Sequence, residues 1–244
     1  MKERLSDLCD RSLRTWQTQC TNFLAPPETA EATAYLSKLT DVQFLAWGGY
    51  PQAERQKLAI APTALELTTD SIPLSALDIR GNFLFDPASH RDFLGAILGT
   101  GIERDQVGDV IVLGDTGAQA IVSPQIAEYL VCQLTQVRTV PVKTQIISLS
   151  ELKMRPPQKK EIVTIEASLR LDAVASAGFA MSRAKMVELI NNEEVRVNWR
   201  QVSSPSYQLR SGDLVAVRGK GRLEIGNISI TKKNRYRIQL WRLT

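Results

Sequence analysis

Apolar positions recur at approximate helical spacing near the start of the chain, at Leu5, Leu8, Leu13 and Trp16, and Pro26-Pro27 marks a stop. Thr29–Leu39 reads as a second helix. Val42–Trp47 and Lys57–Ala61 read as strands around the turn-forming Gly48-Gly49-Tyr50-Pro51. From residue 72 the order is clearer. Leu74–Arg80 is strand-like, and Ser89–Leu98 is helical, with Ser89 as N-cap and Asp92 three residues on, as in a capping box. Asp109–Gly114 and Ala118–Val122 are strands joined by Asp115-Thr116-Gly117, a hairpin signal. Pro124–Leu134 is a helix whose proline sits where a missing N–H costs least, and Val140–Ile147 is a final strand. The order βαββαβ predicts a ferredoxin-like sandwich of a sheet against two helices.

Leu149–Ile162 carries Lys153, Arg155, Pro156-Pro157 and Lys159-Lys160, which predicts an extended linker. Beyond it, Leu169, Leu171, Val174 and Ala175 form the apolar face of a short helix ended by Gly178. Ser182 caps a second helix, on which Met186, Leu189 and Ile190 recur on the buried face. Val195-Arg196-Val197-Asn198 alternates as a half-buried strand does, placing Arg196 and Arg200 on the solvent side. Asp213–Val217 alternates likewise. Leu223–Leu243 reads as a hairpin turning at Lys232-Lys233-Asn234. The expected fold is α+β, in three modules. Residues 1–70 are helical and mixed, 71–148 are RRM-like, 149–165 are linker, and 166–244 are a basic C-terminal domain with its hairpin.

Charge changes this picture most. The net charge of +4 hides an asymmetry. Residues 1–150 hold 12 Lys and Arg against 17 Asp and Glu, a net of −5; residues 151–244 hold 18 against 9, a net of +9. A concentrated basic region is the footprint of a phosphate-backbone binder. No apolar run approaches the roughly 20 residues that span a bilayer. The polar start MKERLSDLCDRSLRTWQ lacks a signal-peptide core, so a cytoplasmic protein without membrane insertion is expected. Cys9, Cys20 and Cys132 form no CxxC pair, and with His90 the single histidine a Cys/His metal site is not expected.

Candidate chemistry lies in the basic domain. Arg183 and Lys185 fall in the first turn of the second helix, where cations oppose the helix dipole at about 0.3–1 kcal/mol each. A phosphate bound at the helix N-terminus would offset that cost; the alternative is that both side chains extend into water. Arg218-Gly219-Lys220-Gly221-Arg222 alternates cations with glycines that let a backbone approach phosphates. Tyr236 and Trp241 are either base-stacking rings or core. The middle domain's candidate central strands, LDIR and AQAIV, lack the aromatic residues with which an RRM stacks bases, so this domain is expected to contact protein, ribosome or its neighbour; Phe83 and Phe85 beside the strand are expected to be buried. His90 reads as a surface residue.

The segment Leu169 to Val217 resembles an S4 RNA-binding domain. The match includes RLD at Arg170–Asp172, Ser182-Arg183, Leu189-Ile190, VRVN at Val195–Asn198, Pro205 and Gly212-Asp213. The resemblance implies that Ser182, Arg183, Lys185, Arg196 and Arg200 contact structured RNA, with Arg218, Lys220 and Arg222 beside them. Two residues depart from the family pattern: Glu193 and Trp199 stand where glycine is usual, and Asn191 or Asn192 is expected to supply the left-handed helix cap instead. FLAPPE at Phe23–Glu28, GGYPQAER at Gly48–Arg55, SHRDFLGAILGTGIERDQVGD at Ser89–Asp109 and the C-terminal TKKNRYRIQL resemble the YlmH family of bacterial S4 proteins, whose cyanobacterial and chloroplast members are labelled photosystem II S4 domain proteins. That resemblance implies association with the large ribosomal subunit, binding of rRNA or ribosome-bound tRNA, and a role with stalled translation products. The photosystem label implies an alternative, a protein-interaction factor in photosystem II assembly.

Enzyme signatures are not met. Asp172 imitates a pseudouridine-synthase motif but lies in the S4 helix, where it reads as structural. The nucleotide-binding signatures of a tyrosyl-tRNA synthetase are absent, and Gly95, Gly99 and Gly101 lie in and after a helix rather than following a strand. The expectation is a non-catalytic protein with no cofactor and no small-molecule substrate.

Overall fold

The computed structural model describes residues 1–154, 159–217 and 220–243. The chain divides into two compact units at the boundary between residues 154 and 155. The first begins with α1 (Lys2–Thr15), which buries Leu5, Cys9 and Ser12 on one face. Trp16 lies outside that face: it takes the left-handed cap position at φ 54° and is 58% exposed. β1 (Gln19–Cys20) follows, then α2 (Pro26–Leu36), β2 (Val42–Trp47) and β3 (Lys57–Pro62), in an antiparallel sheet of order β1-β3-β2. Pro26-Pro27 therefore opens a helix rather than stopping one, because the first turn leaves N–H groups unpaired and tolerates their loss. Leu5, Cys9, Ala32, Leu36, Leu58 and Ile60 share this module's core.

The middle module comprises β4 (Ser75–Arg80), α3 (His90–Gly99), β5 (Val107–Val112), β6 (Gly117–Val122), α4 (Pro124–Gln133), the short hairpin β7 (Gln136–Val137) and β8 (Val140–Pro141), and β9 (Lys143–Ile147). Its sheet runs β5-β6-β4-β9 with antiparallel pairs throughout, the ferredoxin-like order. The expected strand Val140–Ile147 is split in two: Pro141 closes the short hairpin with β7, and Lys143 starts the sheet strand. Asp92 accepts from the Ser89 N–H and hydroxyl at 2.8 and 2.6 Å, the reciprocal cap of α3. Phe83 packs edge-on against Phe93, with ring centroids 5.0 Å apart. Phe85, expected in the same core, instead stands 90% exposed.

Both faces of this sheet's two central strands are covered. Leu77, Ile79, Ala118 and Ala120 join the core beneath α3 and α4. On the opposite face Ala76, Asp78, Gln119 and Ile121 are also buried. There the Gln119 amide donates to the Glu151 carbonyl at 3.2 Å and accepts from the Lys153 N–H at 2.6 Å. Gly49 lies so close that a Cβ on it would sit 3.1 Å from Ile121 Cδ1 and 3.3 Å from Leu149 Cδ2. The face an RRM offers to RNA is here occupied by the protein's own chain.

The two modules of this unit are sewn together by family-motif residues. Asp109 accepts from the Tyr50 hydroxyl (2.7 Å) and from the N–H groups of Glu54 (2.7 Å) and Arg55 (3.1 Å). Arg55 donates to the carbonyls of Val107 (3.1 Å) and Phe23 (3.0 Å). The Asn22 amide donates to Asp105 at 2.7 Å, and Gly108 leaves room for the Phe23 ring, which a Cβ would approach to 2.7 Å.

The second unit contains β10 (Lys159–Glu166), α5 (Leu171–Phe179), α6 (Arg183–Asn191), β11 (Val195–Val197), β12 (Arg200–Gln201), β13 (Leu214–Val217), β14 (Gly221–Ile230) and β15 (Tyr236–Leu243). All pair antiparallel in the order β10-β15-β14-β13-β11-β12. Lys159–Glu166, expected within the linker, is a strand along β15, because its alternating Ile162 and Thr164 find a partner across the sheet. Arg155 and Pro156-Pro157 of that linker reading lie outside the described residues. The core joins Leu171, Val174, Ala175 and Phe179 of α5 to Met186, Leu189 and Ile190 of α6 and to the inward residues of the sheet. Gly178 does not end α5. It lies within the helix because a Cβ there would meet Leu223 at 2.3 Å, and Ala180 takes the left-handed cap at φ 54°.

Candidate RNA interface

Ser182 begins the site. Its hydroxyl accepts the Lys185 N–H at 3.2 Å and caps α6. The cations beside it have partners within the protein. Asp172, on α5, is 2% exposed and accepts Arg170 Nε at 3.0 Å, Arg183 Nε at 2.9 Å and its neighbour Ala173 N–H at 3.0 Å. Burial opposes ionisation of Asp172, but the hydrogen bonds from Arg170 and Arg183 outweigh it and hold the carboxyl below its ordinary range. The two arginine side chains remain 38% and 56% exposed. Lys185 pairs with Glu188 one turn on, at 2.8 Å. The dipole cost of cations in a first turn is thus offset by carboxylates of the domain itself, and a phosphate is not needed to explain their position. What the arrangement provides is orientation: two guanidinium groups braced on one buried carboxylate, both partly in water.

Arg170 is the residue that sequence reasoning passed over. The RLD and Ser-Arg motifs were both visible, but eleven residues separate Asp172 from Arg183, and no spacing rule brings them together. The RLD segment is seated by backbone bonds from Leu171 N–H to the Tyr207 carbonyl (2.8 Å) and from Asp172 N–H to the Pro205 carbonyl (3.1 Å). These give the Pro205 turn its place in the motif.

The remaining candidates belong to the strands. Arg196 and Arg222 both register against Ala216, so they share the sheet face turned away from the buried Val195, Val197, Val215 and Val217. Arg200 is exposed on the edge strand β12, and Lys220 is exposed immediately before β14. Arg218 lies outside the described residues. Tyr236 packs against the core. The cations at the helix starts therefore lie on the opposite side of the sheet from Arg196 and Arg222. Arg200, expected to share the face of Arg196, does not: it pairs with the core-facing Val197 and stands at the sheet's edge on the helix side.

The turn between β11 and β12 carries one of the two family departures, Trp199. Asn198 and Trp199 both have positive φ, 49° and 66°. The Asn198 amide donates to Asp213 at 2.8 Å, and its carbonyl oxygen accepts the Leu214 N–H at 2.9 Å. Asn198 and the Gly-Asp turn are thus one locked corner. The left-handed cap of α6 is Glu193 itself, at φ 61°, and not Asn191 or Asn192. The closing bonds, Glu193 N–H to the Ile190 carbonyl and Glu194 N–H to the Leu189 carbonyl, both 3.0 Å, fix the reversal at that residue.

Two short helices laid on an antiparallel sheet, joined through a capped helix start, make this C-terminal unit an S4 domain, and the chain as a whole is α+β. Family models agree along its length: "YlmH, N-terminal" matches residues 2–65, "Putative RNA-binding domain in YlmH" residues 69–151, and "S4 domain" residues 169–215. The chain is 34% identical over 224 residues to the "Ribosome-associated protein quality control protein P2" of Bacillus subtilis, covering 91% of this chain and 86% of that protein. It belongs to the YlmH family. Over 64 residues it is 41% identical to small ribosomal subunit protein uS4 of Thermosipho africanus, covering 26% of this chain and 31% of that one. Among solved structures, "Cell division protein ylmH from Streptococcus pneumoniae" superposes with a TM-score of 0.54 at 18% identity, covering 63% of this chain and 92% of that one, a likeness of fold.

Proposed function

We propose that this protein is a non-catalytic binder of structured RNA, rRNA or ribosome-bound tRNA, and acts with the large ribosomal subunit on stalled translation. The observation that carries the reading is the pair Arg170 and Arg183, oriented by buried Asp172 beside the capped start of α6, in residues 151–244 with their net charge of +9. Ser182 and Lys185 lie beside this pair on α6, Arg196 and Arg222 offer a second cationic face across the sheet, and Arg200, Arg218 and Lys220 are proposed as further contacts. The names of the Bacillus relative and of uS4 support ribosomal RNA as the ligand class.

Phosphate contacts make binding salt-dependent, each contributing about 0.9 to the slope of log K against log salt on duplex DNA and about 0.7 on single strands. Replacing Arg183 and Lys185 together with Ala is expected to flatten that slope by about one unit or more while the domain stays folded. Crosslinking in cells followed by sequencing of the attached RNA locates the target. Crosslinks concentrated in large-subunit rRNA or tRNA and lost in the double variant support the reading. Association with proteins or membranes that ignores both salt and the double substitution favours the photosystem assembly alternative.

A further inference from the structure

We infer that Trp199 is a stacking platform for an unpaired nucleobase of the bound RNA, an inference that rests on the RNA-binding reading above. Val197 pairs with Arg200, so Asn198-Trp199 is a two-residue turn in which both central residues have positive φ. Such turns favour Asn followed by Gly, because a side chain in the second position crowds its own backbone. A tryptophan in this place works against the local conformation, and something other than turn geometry must account for it.

Core packing does not. Trp199 is absent from both the buried core of its unit and the partly buried residues packed against that core. Its indole is partly exposed and stands against a cation: the Arg222 guanidinium carbon lies 5.9 Å from the ring centroid. Arg196 and Arg200, on the strands that the turn joins, are both exposed. The ring therefore sits at the tip of a hairpin against Arg222, whose sheet face Arg196 shares. That setting suits a polyanion with aromatic parts: the arginines meet phosphates, and the indole meets a base. Stacking on aromatic rings is how proteins hold unpaired bases of any sequence. A base inside a duplex has no free face to offer, so the ligand class is structured RNA with an unpaired nucleotide next to a stem.

The test compares two probes with the full-length protein: a hairpin RNA with an unpaired loop, and a blunt duplex of the same stem. Trp199→Ala is expected to weaken hairpin binding by roughly 5- to 150-fold, the range of one lost base stack, and to leave duplex binding unchanged. The hairpin salt dependence should shift in parallel without tilting, because no phosphate contact is lost. Trp199→Phe should restore most of the affinity. Trp199→Gly removes the ring while relieving the backbone; it should keep the thermal midpoint and lose hairpin affinity as the Ala variant does. Wild-type hairpin affinity in the Gly and Ala variants overturns the inference, as does an equal loss on both probes, which would make Trp199 a prop for the arginines. If the unaltered protein binds neither probe, the RNA reading itself falls and takes this inference with it.

Discussion

Asp172 shows how one buried carboxylate can set the geometry of an exposed cationic surface. Its ionised form is held by Arg170 and Arg183, so its folded-state pKa lies below the unfolded one. The stabilisation is therefore fully present above the ordinary carboxylate pKa of about 4 and is lost as pH falls through the depressed value. Asp172→Asn keeps the shape and removes the charge. It should cost about 1.5–3 kcal/mol at neutral pH, the range for charged hydrogen bonds, and the gap from the unaltered protein should close in acid. Denaturant melts across pH measure this directly; curves that stay a constant distance apart would show that charge on Asp172 does not link folding to protons. The same substitution unbraces Arg183 and serves as an indirect probe of the proposed RNA contact.

Among elements, the most informative contact is Asp109 in the edge strand β5 of the middle module's sheet, which gathers Tyr50, Glu54 and Arg55 from the loop between β2 and β3. Asp109→Ala should destabilise the first unit by about 1.5–3 kcal/mol, as expected for loss of hydrogen bonds to a charged acceptor. It should leave the S4 domain's own transition unmoved in a melt that resolves the two. Much of this layer was legible in the chain. Alternation marked β11 and β13, the Ser89/Asp92 pair marked α3, and the βαββαβ order led to the sheet topology. What escaped had physical reasons. β10 becomes a strand only through β15, some seventy residues on, and its lysine-rich start beside prolines has the composition of a linker. Glu193 was set aside because asparagine tolerates the left-handed region better, yet hydrogen-bond closure at the end of α6 chooses the position whatever residue occupies it. The GGYPQAER motif was visible as a resemblance, but only three-dimensional contact shows that its work is to join two modules.

For the whole molecule, charge and core divide alike. Among the described residues, the S4 core draws on positions from Ile162 to Leu240. A fragment beginning at Lys159 should therefore fold. Freed from the net −5 of the first 150 residues, it should bind RNA more tightly than the intact protein at low salt and equally once the Debye length falls to about 3 Å near 1 M. Equal affinities at low salt would mean that the acidic half exerts no field on the ligand. The covered sheet of the middle module has a different consequence, and it concerns descent. Buried Ile121 is approached by the turn at Gly49, so a gene fragment starting after β3 would encode a sheet with part of its apolar face bared to its neighbours. The first two modules, though each has its own family model, can be passed on or exchanged only as a pair, while the S4 domain is free to travel alone.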